Sequence, residues 1–167
     1  AYRVEGTVER VSRKEPEDCP AYGEDGLGDP ADNVAIIGEV KKLYESTLPL
    51  YAVCLGHQLM ALATGAKTGR LAYGHRGGNH PVKDLEHGRA YITSQNHGYV
   101  VTRESVKPEV AEISHVNVNE GSVEGLKYKR PNCFTVQFHP EASPGPMDTE
   151  YLFDNFVDMM NKKGGAR

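Results

Sequence analysis

The stretch LPLYAVCLGHQLMALATG, Leu48 to Gly65, decides how the rest of the chain is read. Leu50 to Val53 is a short apolar run with the length of a buried strand. Cys54 follows at once, and Leu59 to Ala63 read as a short apolar helix that Gly65 stops. A cysteine at this turn has two readings. The plain one is a small hydrophobe buried at a strand end. The sharper one is a nucleophile on a strained strand-to-helix elbow, where small residues let the two elements approach. Ala52, two before, and Gly56, two after, are those small residues. The unpaired N–H groups and dipole of the following helix would stabilise a thiolate. The backbone N–H of Leu55 would point where an oxyanion develops.

A second stretch weighs between the two readings. In FTVQFHPEASPGP, Phe134, Val136 and Phe138 alternate with Thr135 and Gln137, the period of a strand, until Pro140, Pro144 and Pro146 end it. His139 and Glu141 lie two apart on extended chain and therefore share a face. Glu141 can hold one imidazole nitrogen and leave the other for a thiol, the base-and-orienter pair that a cysteine nucleophile needs. A surface histidine beside a solvated glutamate is the commoner fate of such a pair. The order Cys54, then His139-x-Glu141, favours the site.

Outward from these stretches, Asp29-Pro30 opens a helix, with Asp as cap and Pro in the first turn. Val34, Ile37, Val40 and Tyr44 carry that helix to about Ser46. LAYGHRGGNHPV, rich in glycine and histidine, reads as a loop. RAYITSQNHGYVV and VAEISHVNV read as strands separated by a turn at Pro108. DTEYLFDNFVDMMNKK reads as an amphipathic helix whose stripe, Leu152, Phe153, Phe156, Val157 and Met160, packs on the core. Residues 1–28 are poorly defined: Val4, Val8 and Val11 suggest one weak strand, and EPEDCPAYGEDGLGDP an extended loop. The expected organisation is one α/β domain over residues 29–162, with a frayed tail at 163–167.

Composition narrows the function classes. The chain has 167 residues, 38% hydrophobic and 25% charged, with a net charge of −4, so no basic field favours nucleic acid or an anionic membrane. No apolar run approaches the roughly 20 residues that span a bilayer. The start is too charged for a secretory signal. Cys19, Cys54 and Cys133 are an odd set without CxxC spacing, which argues for a reducing compartment, read as the cytoplasm. His75 and His80 invite a metal reading, but no carboxylate–cysteine set at ligand spacing stands beside them, so no metal and no cofactor is expected. In TSQNHGYVV, Asn96 and Gly98 could offer polar groups to a small amino-acid ligand with Tyr99 as a wall, although Asn-His-Gly also makes a serviceable turn.

CLGHQLMALATGAKT, GHRGGNHPVKDLEHGRAYITSQNHGYVV and FHPEASPGPMDTEYLFDNF together resemble the class I (triad) glutamine amidotransferases. Within that class they look like the C-terminal domain of bacterial carbamoyl-phosphate synthetase small subunits. The likeness runs from about Asp29 to about Met160. It implies a flavodoxin-like sheet flanked by helices, with Cys54 as nucleophile, His139 as base and Glu141 as its orienter. It also implies that Leu55, Gln58, Asn96, Gly98 and Tyr99 hold L-glutamine. The implied reaction is hydrolysis of glutamine through a glutamyl thioester, and the implied partner is a large synthetase subunit that receives the ammonia. Nothing resembles a nucleotide site, since GLGDP is not followed by Lys-Ser/Thr.

Three departures from the family pattern stand out. EDGLGDP, Glu24 to Pro30, replaces the usual SNGPGDP, which makes Gly26 and Gly28 the matching positions for the second oxyanion donor. Ala52 replaces a glycine. The strand–helix–strand unit that usually opens the domain is truncated or altered in residues 1–28, so the resemblance is to an isolated or altered domain. A non-catalytic module that docks on the synthetase is therefore the second expectation. A cysteine hydrolase acting on another amide is the third, disfavoured by SQNHGY and PGPMDT.

Overall fold

The computed structural model describes residues 28–142 and 149–164. The expected weak strand at Val4–Val11, Gly26, Pro144, Pro146 and the last three residues of the tail lie outside them. The described elements are α1 (Val34–Glu45), β1 (Leu50–Val53), α2 (Leu55–Ala63), β2 (Thr68–Asp84), β3 (Ala90–Val101), β4 (Ala111–Asn117), β5 (Val123–Tyr128), β6 (Cys133–Val136) and α3 (Tyr151–Gly164). The strands form one sheet in the order β1-β6-β5-β3-β2-β4, and β4 pairs back onto β5. β1 and β6 run parallel, in register from Leu50↔Cys133 to Val53↔Val136. The other described pairings are antiparallel, so β2, β3, β5 and β4 close a small ring beside the parallel pair.

The parallel pair divides the core in two, because successive side chains on a strand point to opposite faces. Leu50 and Cys133 belong with Met60, Ala61, Val101, Leu126 and Tyr128 on the side of α1 and α2. Tyr51, Val53, Phe134 and Val136 belong with Val82, Phe138 and Leu152 on the side of α3. The alternation expected along FTVQF holds: Phe134, Val136 and Phe138 share one cluster, while Thr135 and Gln137 face α2. Those two polar side chains are nonetheless fully buried. They reach no solvent because α2 offers them hydrogen-bond partners, described below.

Four expectations are corrected. LAYGHRGGNHPV is not a loop but most of the long strand β2. Its glycines mark register shifts between Arg70 and His75 and between Gly77 and His80, with Gly74 and Gly77 at φ +67° and +108°. Glycine here permits bulges rather than ending the strand. Strand β5 went unread because Gly125 interrupts its pattern. A Cβ there would stand 2.7 Å from His115 Nδ1, so the glycine lets β4 side chains cross it. Asp29 accepts a hydrogen bond from Ala31 N at 2.9 Å, capping a single 3-10 turn, Pro30–Asp32, rather than α1 itself.

The fourth correction concerns α3. Its stripe packs on the core only in part: Leu152 is buried, whereas Phe153, Val157 and Met160 are exposed. Tyr51 stacks on Phe134 at 4.5 Å and meets the rings of Phe153 and Phe156 at 5.7 and 5.8 Å. The four-residue strands beneath are only about 13 Å long, and a 14-residue helix is about 21 Å, so its far turns overhang. No helix among the described residues is long and apolar enough to cross a membrane.

Candidate active site

Cys54 sits between β1 and α2 with φ +53° and ψ −110°, a conformation that L side chains rarely adopt. Two hydrogen bonds hold it there. Its N–H donates to Val136 O at 2.9 Å, extending the β1–β6 pairing by one step. Its carbonyl accepts from Gln58 N at 3.2 Å, the first bond of α2. No side-chain cap closes the N-terminus of α2. The first N–H groups of the helix, Leu55 among them, lack intrahelical acceptors. Ala52 fits the elbow because Gly56 lacks a Cβ; one added there would stand 3.2 Å from Ala52 Cβ.

His139 arrives on the segment that continues β6. Its N–H donates to Ser94 O at 2.9 Å, which ties it to β3. Its Nδ1 lies 2.7 Å from Glu141 Oε1, leaving Nε2 for the sulfur. The hydrogen bond to Cys54, ahead of that to Glu141, pushes the His139 pKa up to about 9 against the opposing effect of burial. The side chain of Glu141 is 54% exposed, so water can reach this end of the site.

Gln137 is a residue the sequence reading did not single out. Its Nε2 points at Cys54 Sγ from 3.8 Å, and its Oε1 accepts from Gln58 Nε2 at 2.9 Å. Gln58 Nε2 also donates to Tyr99 O at 2.6 Å. A polar chain thus runs from the sulfur through Gln137 and Gln58 to β3. The signal was present in the alternation of FTVQF, which put Gln137 on the cysteine's side.

His57 is fully buried, with Nδ1 2.8 Å from Thr135 Oγ1 and no partner at Nε2 among the described residues. Burial, reinforced by His97 and His115, lowers its pKa to about 3. It is a neutral strut between α2 and β6.

β3 crosses the site. Ser94 meets His139 and Tyr99 meets Gln58, so exposed Asn96 and half-buried Gly98 lie on the stretch between. The structure therefore gathers Cys54, Leu55, Gln58, His139 and Glu141 with Asn96, Gly98 and Tyr99. Gly28, at φ +73°, leads into the Pro30–Asp32 turn, which packs against α2. A separate cavity of about 420 Å³, lined by Asp84, His115, Tyr151 and Leu152 among others, holds none of the Cys54, His139 and Glu141 side chains.

Behind β3 lies a second polar group. His75, His97 and Glu124 are buried, with one ligand atom from each within 4.8 Å of the others. The expectation of no metal rested on local spacing, whereas these three come from β2, β3 and β5.

The family model described as glutamine amidotransferase class-I matches residues 24–159. A carbamoyl phosphate synthase small chain of Symbiobacterium thermophilum is 52% identical over 138 residues, covering 82% of this chain and 38% of its own. The corresponding protein of Clostridium perfringens is 54% identical over 132 residues, covering 79% and 37%. The chain thus spans less than two fifths of the length of these relatives. Among solved structures, a Thermoplasma acidophilum protein described as one component of a GMP synthase has a TM-score of 0.69 at 19% identity, covering 84% of this chain and 71% of its own. A glutamine amidotransferase from Thermotoga maritima has a TM-score of 0.57 at 19% identity, covering 86% and 63%. At such identity the structures speak for the fold alone.

Proposed function

Because the chain belongs to the class-I glutamine amidotransferase family, we propose that it hydrolyses L-glutamine to glutamate and ammonia through a cysteine thioester. The observation that carries the reading is the left-handed backbone at Cys54, which presents the sulfur at the N-terminus of α2 beside His139, itself held by Glu141. In this reading Cys54 attacks the glutamine carboxamide, and the oxyanion takes the N–H of Leu55. His139 then gives its proton to the departing ammonia, leaving a glutamyl thioester. A water that loses its proton to His139 hydrolyses the thioester and regenerates the thiol. Gln58 and the backbone from Asn96 to Tyr99 hold the amino-acid end of the substrate.

The identity to carbamoyl phosphate synthase small chains supports delivery of the ammonia to a large synthetase subunit, in pyrimidine or arginine synthesis. The free thiols of Cys54 and Cys133 support a reducing compartment, the cytoplasm. A docking module with little hydrolysis is the competing reading, and the EDGLGDP sequence favours it because it departs from the family's SNGPGDP around the matching oxyanion positions Gly26 and Gly28.

The deciding experiment is intact mass after incubation with an electrophilic glutamine analogue, on the parent and on Cys54→Ala. A single adduct on the parent, blocked by glutamine and absent from the variant, is the expected result. No adduct on a thiol that still reacts with a generic reagent would overturn catalysis in favour of docking.

A further inference from the structure

The buried group behind β3 contains a hydrogen-bond conflict that protons resolve poorly. Tyr99 O only accepts, so His97 Nδ1, 2.9 Å away, carries a proton. A carboxylate oxygen of Glu120 lies 2.5 Å from His75 Nε2, so that nitrogen carries one as well. Each neutral imidazole then has its lone pair on the other nitrogen. Those two nitrogens, His75 Nδ1 and His97 Nε2, both face Gln95 Oε1, at 2.7 and 2.8 Å. Glu124 Oε1 stands 3.4 Å from His75 Nδ1. Four electron-pair donors thus converge with no hydrogen among them.

A proton on His75 alone would pair its Nδ1 with Gln95 Oε1 and Glu124 but leave the His97 Nε2 lone pair against Gln95 Oε1 at 2.8 Å, and the two fuller protonic remedies are both costly. Protonating both imidazoles puts two cations with ring centroids 4.9 Å apart in a buried site. Turning the Gln95 amide over would give both nitrogens a donor. It would also set the Gln95 oxygen against Glu124 Oε2, where Nε2 now donates at 3.1 Å, and so require a protonated Glu124.

We propose that His75, His97 and Glu124, with Gln95 Oε1 as a fourth donor, form a binding site for a divalent transition-metal ion of the zinc class. Two imidazoles and two oxygens suit such an ion. Bonds of 2.0–2.1 Å imply ligand–ligand edges of about 3.3 Å in a tetrahedron. The His75–Glu124 separation already has that length, and Gln95 Oε1 need withdraw by only about 0.6 Å from each nitrogen. The outer contacts are also those of metal-bound histidine: His75 gives its distal N–H to the Glu120 carboxylate, and His97 gives its own to a backbone carbonyl. Gln95 and His97 face the core, and by the alternation of the strand Asn96 and Gly98 face the other way. The ion would therefore brace the back of the segment that runs past Cys54. The site stands independently of the glutamine reading, since none of its ligands is a group proposed to react.

The test uses the chelator-stripped full chain carrying Cys54→Ala, which removes a competing thiol. Zinc chloride is titrated by calorimetry and cobalt(II) by its visible ligand-field bands. The expected result is one equivalent bound, with nitrogen and oxygen coordination and no sulfur-to-cobalt band. Glu124→Gln and His75→Asn should abolish that binding, Glu120→Gln should weaken it roughly 10–100-fold, and His80→Asn should leave it unchanged. No stoichiometric uptake by the stripped protein would overturn the proposal in favour of a protonated Glu124, as would uptake that survives Glu124→Gln. If the ligand variants fail to fold, X-ray absorption on the zinc-loaded Cys54→Ala chain decides. Two imidazoles in the shell support the site, and none overturns it.

Discussion

Replacing Cys54 by glycine should leave the protein more stable than replacing it by alanine. Both substitutions delete the sulfur, so the losses of its contacts with His139 and Gln137 cancel in the comparison. Backbone remains. At φ +53° and ψ −110° a residue with a Cβ carries about 1–3 kcal/mol of strain. Alanine keeps that strain, and glycine releases it. Glycine in turn costs about 0.5–1 kcal/mol through the greater freedom of the unfolded chain. The difference should favour glycine by up to about 2.5 kcal/mol, or up to roughly 10 °C in Tm at this chain length. Urea unfolding of both variants at one pH measures it, with equal m-values as the check that only stability changed. Alanine equal to or above glycine, at equal m, would refute the argument that the elbow stores strain to present the sulfur.

Other outcomes follow from the same geometry. The imidazole of His139, followed by NMR, should titrate near pH 9 in the parent, and Cys54→Ala should lower that value more than Glu141→Gln does. Because the folded pKa is raised, the stability His139 contributes is complete below about pH 6.5 and disappears as pH rises through 9, so the cost of His139→Asn should shrink between those limits. His57 acts in the opposite sense. Its folded pKa of about 3 makes stability fall by roughly 1 kcal/mol per pH unit as pH drops from 6.5 toward 3, and His57→Gln should flatten that slope in urea midpoints. Gly74→Ala should cost at least about 1–2 kcal/mol, because φ is +67° and the new Cβ would stand 2.8 Å from His97 O. A thermal midpoint within a degree of the parent would contradict this.

Local chemistry determined what the sequence could be read for. A four-residue apolar run, a cysteine and a helical pattern specify strand, turn and helix because each is set by neighbours within a few positions. The His139–Glu141 pair also forms locally, although the expected extended chain is instead a turn closed by Ala142 N donating to His139 O at 3.2 Å, and that turn brings Nδ1 to the carboxylate. Asp29 capped what it preceded, though that proved to be one 3-10 turn.

Other features depended on partners far along the chain. Gly74, Gly77 and Gly125 look like breakers in sequence, and only the strands crossing them turn them into bulges and points of close approach. Thr135 and Gln137 look like a solvent face, and only the arrival of His57 and Gln58, 78 and 79 residues away, makes them a buried polar seam. The metal-ligand geometry of His75, His97 and Glu124 is invisible to spacing because it exists only when β2, β3 and β5 close their ring. Short-range sterics, acting within a few residues, set the Cys54 turn and the His139–Glu141 pair, and these were legible in the sequence alone. Tertiary structure alone decided which polar groups were buried together, since burial depends on what packs against a side chain from elsewhere in the fold.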